Sequence, residues 1–242
     1  MQLSTEVNFS GFATEHPWAA QFAVLTYADG AISTIPHRFF RDWLDEEPQY
    51  GHFYIGRCSA FGVESIVKYD SDQQCLRVGR YVAGGARLRF LLNGQHEMRT
   101  ISTCFLKTFG GALDQPPMPQ LPDTVIKNDV WIGDEVMVLG GAVIENGCVI
   151  GARSLLPSNF RSEPYAIYAG TPAKLIRYRF PETVRAALLK LAWWEMPLAW
   201  VKDNNALFLE DLCADEGRSL LLIDILHGSR QQWEAANHAP EA

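Results

Sequence analysis

Few residues in this chain could do covalent or metal chemistry, and their spacing narrows the choice. Its six histidines are scattered, and only His52 and His96 fall in the repeat region described below. Three imidazoles around one zinc are therefore not available, and no metal is expected. The five cysteines (Cys58, Cys75, Cys104, Cys148, Cys213) include no Cys-x-x-Cys pair. They argue against both a zinc site and a disulfide framework, and most read as small buried hydrophobes. What stands out is one imidazole in a polar loop, His96, preceded by Asn93-Gly94-Gln95 and followed by Glu97. Unperturbed histidine titrates near pH 6.5, so such a ring can take a substrate proton and return it. Glu97 either orients that ring or faces water. His52 reads as structural.

The elements that must position this loop show in a strict beat. Aliphatic residues recur every sixth position at Ile126, Ile132, Val138, Ile144, Ile150 and Leu156. Glycine follows two of them (Gly133, Gly151), and small or aliphatic residues hold the fifth place: Val136, Ala142, Cys148, Ser154. Neither a helix of period 3.6 nor a strand of period 2 demands a step of six. A parallel β-helix built of hexapeptides does. The beat is looser upstream, through Ile55-Gly56, Phe61-Gly62, Val67, Val78-Gly79, Gly84 and Phe90. Residues 91–123 interrupt it as a long loop, the kind of excursion that often carries function.

Three regions follow: a cap or arm over 1–50, a β-helix over 51–178 with the inserted loop, and a helical segment over 179–242. Within the first, strands at 20–26 and 31–35 form a hairpin around Asp29-Gly30, and residues 36–48 look like a short amphipathic helix. In the last, Pro181 and Glu182 open a helix with apolar residues at Val184, Ala187, Leu188 and Leu191. A second is expected over 198–212 and a third from Arg218. With 48% hydrophobic residues the chain can build a core, and its net charge of −7 without a basic cluster argues against nucleic acid or anionic membrane as partner. The N-terminus has no secretory pattern and no apolar run reaches the ~20 residues of a membrane span, so a cytoplasmic protein is expected.

Four stretches together resemble the hexapeptide-repeat acyltransferases, in the xenobiotic branch that includes streptogramin and chloramphenicol acetyltransferases. They are Leu92-Asn-Gly-Gln-His96-Glu-Met-Arg99, Asn128-Asp-Val-Trp-Ile-Gly133, Ala169-Gly-Thr-Pro-Ala-Lys-Leu-Ile-Arg177, and Arg179-Phe180 through Lys190-Leu-Ala-Trp-Trp-Glu-Met-Pro197. The resemblance covers about 52–205. It implies a left-handed parallel β-helix with three hexapeptides per coil, assembled as a homotrimer with active sites between subunits. It also implies acetyl-coenzyme A as donor and a hydroxyl as acceptor.

On that resemblance His96 is the general base and Asn93 lies on the acceptor side. Trp131, Gly133 and Asp134 flank the pantetheine or thioester end of the donor, and Gly151 and Ala152 line its groove. Lys174 and Arg177 fall where the family places cations near the nucleotide phosphates. Two departures matter. Pro157-Ser158-Asn159 replaces the family's Thr-Lys-Asp, removing a cation for which Arg161 is the substitute candidate. Glu97-Met98-Arg99-Thr100 replaces Arg-Met-Asp-Gly, so the acceptor cannot be copied from the family. An antibiotic hydroxyl and a sugar hydroxyl both stay open, as does a non-catalytic binding scaffold.

Overall fold

The computed structural model describes residues 1–92, 94, 96–103 and 120–237. The expected acceptor-side residue Asn93 lies outside them. Successive short strands fall in turn on three walls of a prism, and each pairs in parallel with the strand one coil away. The first wall holds Gln2–Thr5, His52–Ile55, Cys75–Val78, Thr124–Ile126 and Val143–Ile144. Phe40–Arg41, Ile66–Lys68, Arg89–Leu91, Met137–Leu139 and Leu155–Leu156 make the third. The second wall has nine strands and carries the additions at both ends.

The six-residue beat is the core. Ile126, Ile132, Val138, Ile144, Ile150 and Leu156 all point inward and are at most 1% exposed. Parallel registers stack them, Ile126 on Ile144 and Val78, Ile132 on Ile150, Val138 on Leu156 and Phe90. Burying aliphatic side chains in this way contributes roughly 1.5–3 kcal/mol each. Fifth-place serines tie coil to coil: the Ser59 hydroxyl donates to the Gly79 carbonyl (2.7 Å) and accepts from the Val82 amide (3.1 Å).

Upstream coils are filled by rings instead, which is why their beat looks loose. Phe39 stacks on Phe61 with centroids 5.3 Å apart, and Phe61 meets Phe90 edge-on at 5.5 Å. Gly84 occupies an inward position because any β-carbon there would run into the Phe61 ring.

The winding starts well before the boundary at 51 read from the hexads. Gln2–Thr5 pairs in parallel with His52–Ile55, Thr34 with Ala60, and Phe40–Arg41 with Val67–Lys68. The hairpin is present as Phe22–Tyr27 against Ile32–Pro36, with Phe9–Phe12 added outside it. The helix expected over 36–48 is absent. Phe39 is drawn into the prism core at 1% exposure, and Asp42 then bends the chain by accepting from the Leu44 and Glu46 amides.

At the other end α1 spans Glu182–Leu191 and closes on Ala192, whose φ is 44°. The helix expected over 198–212 is split into α2 (Leu198–Asp203) and α3 (Asn205–Phe208) at Asn204, which donates its side-chain amide to the Trp200 carbonyl. The last helix, α4, runs over Glu216–Asn237. A separate apolar cluster of Val184, Leu191, Trp194, Trp200 and Ile223 holds these helices against the prism. No helix among the described residues is long and apolar enough to cross a membrane.

Candidate functional site

Two edges of the prism carry the residues of interest. The first is the corner where the second wall turns into the third. Each coil turns there through a residue with left-handed backbone: Glu64, Arg87, Glu135 and Arg153, with φ between 56° and 62°. Gly133 opens the turn of its coil. A β-carbon on it would lie 2.6 Å from the Ala152 amide nitrogen, so Gly133 and Ala152 are in direct contact between coils. Gly151 sits against Ala169 in the same way, with 3.0 Å between that alanine's β-carbon and the place of its own. Asp134 accepts a hydrogen bond from the Ala86 amide at 2.8 Å, clamping its coil to the one below.

Trp131 precedes this corner on the outer surface of the second wall and is 59% exposed. In register beside it stand Ala83 on one side and Val149 on the other, then Ile167 and Arg177. The small residue at 83 leaves the indole standing above its neighbours. From Trp131 to Arg177 the wall crosses three strand intervals, about 14 Å at the usual spacing. Lys174 and Arg177 belong to the antiparallel strand Lys174–Tyr178 at the end of this wall. Both are exposed, and among the described residues neither is in an ion pair. The structure thus brings Trp131, Gly133, Asp134, Gly151 and Ala152 to one corner, and sets the two cations at the far end of an apolar strip.

Arg161 does not join them. Its guanidinium donates to the Gly141 and Phe160 carbonyls, which fixes it at the edge between the third and first walls. At the corner stands Arg153 instead, bonded to Glu135 at 2.7 Å beside Arg87, a residue that no sequence motif singles out. Its signal is the charge alternation along that column, Glu64, Arg87, Glu135, Arg153. Arg87 and Arg153 hold the Glu135 carboxyl below the usual range.

The other edge, between the third and first walls, roots the His96 loop. Leu92 leaves there with its carbonyl against Gly140, and Pro122 returns against Gly141. Gly141 has φ 77°, and no side chain would fit at either glycine. Asp70 pins the loop entrance by accepting from the Gly94 amide at 3.3 Å. The His96 Nδ1 faces the Thr103 carbonyl. A carbonyl can only accept, so in this contact Nδ1 is the donor. Glu97 is committed elsewhere. It takes two bonds from the Arg99 guanidinium, at 2.9 and 2.8 Å, which pull its carboxyl down to about 2. The imidazole is held by the backbone of its own loop, and Glu97 is Arg99's partner.

The corner of Gly133 and Ala152 and the root of the His96 loop are therefore on opposite edges of the third wall within one chain. Among the described residues no group of three or more His, Cys, Asp or Glu could hold a metal ion. The Tyr69 hydroxyl, just past the third-wall strand Ile66–Lys68, donates to the His52 carbonyl in the first wall at 2.9 Å.

Known proteins resemble this chain in sequence. The family described as bacterial transferase hexapeptide (six repeats) matches residues 123–158. A probable macrolide acetyltransferase of Lysinibacillus sphaericus is 38% identical over 153 residues, covering 61% of this chain and 82% of that protein. Chloramphenicol acetyltransferases of Agrobacterium fabrum and Klebsiella aerogenes are 35% and 46% identical, each covering 62% of this chain and 75% of the relative. With a relative of that identity matched over most of its length, the chain belongs to the hexapeptide-repeat transferases, in their xenobiotic acetyltransferase branch.

Proposed function

We propose that this acetyltransferase moves an acetyl group from acetyl-coenzyme A to a hydroxyl of a small molecule or sugar, with His96 as general base. The observation that carries the reading is the bond between the His96 Nδ1 and the Thr103 carbonyl. An imidazole that donates through Nδ1 takes its second proton at Nε2, which supports this role. As the acceptor oxygen attacks the thioester carbonyl, its proton passes to Nε2. When the tetrahedral intermediate collapses, the imidazolium returns that proton to the departing thiolate, leaving an ester and the free thiol. Asn93 stands on the acceptor side in this reading.

The donor is the substrate of the corner strip. Its extended arm lies along the apolar run of Trp131, Val149 and Ile167, close to backbone at Gly133, Asp134, Gly151 and Ala152. Lys174 and Arg177 take the phosphates by charge-assisted bonds, which are about twice as strong as neutral ones. The fit rests on the closely packed glycines at the corner, the exposed indole and two cations outside any ion pair among the described residues.

Because donor strip and base stand on opposite edges of one wall, one prism does not assemble the site. A homotrimer of left-handed prisms does, each loop reaching the corner of its neighbour. The protein works in the cytoplasm on this reading, and its four described cysteines are free thiols, as a reducing compartment would keep them.

A thiol-release assay with acetyl-coenzyme A against antibiotics, sugars and nucleotide sugars tests the proposal. His96→Ala is expected to lower kcat by about 10²–10⁴ without moving Tm. A variant as active as wild type would remove His96 as base. Turnover confined to chloramphenicol or a macrolide favours the second reading, an antibiotic-modifying enzyme, to which the names of the relatives point. Absence of thiol release with every acceptor favours a binding scaffold.

A further inference from the structure

Beside the root of the His96 loop lies a hollow of about 240 Å³, open to solvent and lined by Trp43, Lys68, Tyr69, Asp70, Leu91 and Gly94. Trp43 is 71% exposed. A tight turn holds it out: the Asp42 side chain accepts from the Leu44 and Glu46 amides at 2.8 and 2.9 Å, and the Asp42 amide donates to the Glu46 carbonyl at 2.8 Å. An exposed ring by itself signifies little. This one borders the loop that carries the imidazole, and its place is what matters. Gly94 stands two residues before His96, so their Cα atoms are at most ~7.6 Å apart. Asp70 accepts from the Gly94 amide at 3.3 Å, which makes the wall of the hollow and the loop entrance one bonded unit.

The lining says what would rest there. It is mostly apolar, and its two charged groups, Lys68 and Asp70, are of opposite sign, so neither an anion nor a cation is favoured. The Lys68 ammonium is in no ion pair among the described residues and has three N–H groups to donate. A bare indole beside a hydrogen-bond donor suits a neutral ring with an apolar face and hydroxyls around its edge.

We infer that Trp43 and Lys68 form an acceptor subsite for a neutral hydroxylated ring of the hexopyranose kind. The C–H face of the ring lies on the indole, its hydroxyls accept from Lys68, and another hydroxyl of the same molecule comes within reach of the His96 loop. Trp43 stands outside residues 52–205, the stretch that resembles the acetyltransferases, so the first coil of this chain sets its own choice of acceptor. The inference rests on the role proposed for the His96 loop.

Isothermal titration of the full chain carrying His96→Ala separates binding from turnover. With the methyl glycosides of glucose, galactose and mannose it is expected to show saturable binding of at least one. Trp43→Ala should weaken that binding about tenfold, which roughly 50 Å² of apolar surface leaving water supplies. Trp43→Phe should recover most of the loss. Leu44→Ala, exposed on the same turn but outside the lining, should bind as the parent does. With His96 intact, Trp43→Ala should raise KM for the glycoside and leave kcat, KM for acetyl-coenzyme A and Tm unchanged. The inference is overturned if no glycoside binds saturably, if Trp43→Ala binds it as tightly as the parent, or if benzyl alcohol alone binds through Trp43. Binding through Trp43 alongside a fully active His96→Ala enzyme would remove the base and keep the subsite. Glycoside acetylation indifferent to Trp43→Ala would do the reverse.

Discussion

Replacing Glu6 by alanine should loosen the joint between the first coil, the prism and the C-terminal helices. The Glu6 side chain is only 6% exposed and accepts from the Arg57 guanidinium at 2.8 Å, the Arg57 amide at 3.1 Å and the Arg80 guanidinium at 2.6 Å. Arg57, also 6% exposed at its side chain, continues to the Met196 carbonyl at 2.6 Å, and Arg80 pairs with Glu195. Removing Glu6 leaves two guanidiniums in a partly dry site with Asp29, 3.6 Å from Arg57, as the remaining carboxylate on that side. Breaking a buried pair in this way costs about 3–5 kcal/mol. For a chain of this size, that is a fall in Tm of about 6–20 °C. The dependence on pH has a definite sign. Burial alone would raise the Glu6 carboxyl, but the bonds from Arg80 and Arg57 outweigh it and hold it below its ordinary value of 4.5. Its contribution is therefore complete above that value and is lost as pH falls through the lower, folded one. Thermal unfolding of wild type, Glu6→Ala and Glu6→Gln between pH 3 and 8 provides the assay. The gap between wild type and Glu6→Gln should close on acidification. A Tm for Glu6→Ala within 2 °C of wild type at neutral pH, or a gap indifferent to pH, would refute the reasoning.

Three further outcomes can be checked by kinetics. Gly133→Ala places a β-carbon 2.6 Å from the Ala152 amide and should cost roughly 1–3 kcal/mol while raising KM for acetyl-coenzyme A; Gly62→Ala, with a similar clash at 2.7 Å two coils away, should lower Tm and leave that KM alone. Lys174→Ala and Arg177→Ala should each raise KM for acetyl-coenzyme A by roughly tenfold; wild-type KM should rise with salt, and the double variant should lose that dependence. Glu97→Gln should leave kcat within about twofold and the pH–rate profile in place, because the carboxylate serves Arg99; movement of the acid limb would show that Glu97 acts on the imidazole after all.

The hexads were legible because their cause is local and repeated. An aliphatic side chain must point inward once per wall, and the wall recurs every six residues from Ile126 to Leu156. The first coil was hidden for the opposite reason. Phe39, Phe53 and Phe61 fill that end with rings 14 and 8 positions apart, so no six-residue period marks it. The Phe39-Phe40 and Trp43-Leu44 pairs imitate an amphipathic helix, yet one pair is core and the other stands in solvent. In the site, Trp131, Gly133 and Ala152 were readable as motif positions. Arg153, the pairing of Glu97 with Arg99, and the diversion of Arg161 to the Gly141 carbonyl were not.

By itself the sequence determined that the chain winds in six-residue steps, that a polar loop carrying one imidazole interrupts the winding, and that helices follow. Those features rest on neighbours in the chain and on a period any reader can count. Only the tertiary structure decided which residues meet. It set the Trp131–Gly133 corner and the root of the His96 loop on opposite edges of one wall, and turned Glu6 into the partner of Arg57 and Arg80. Such pairings join residues tens of positions apart, and their strength depends on how much water the surrounding coils exclude, which no local pattern records.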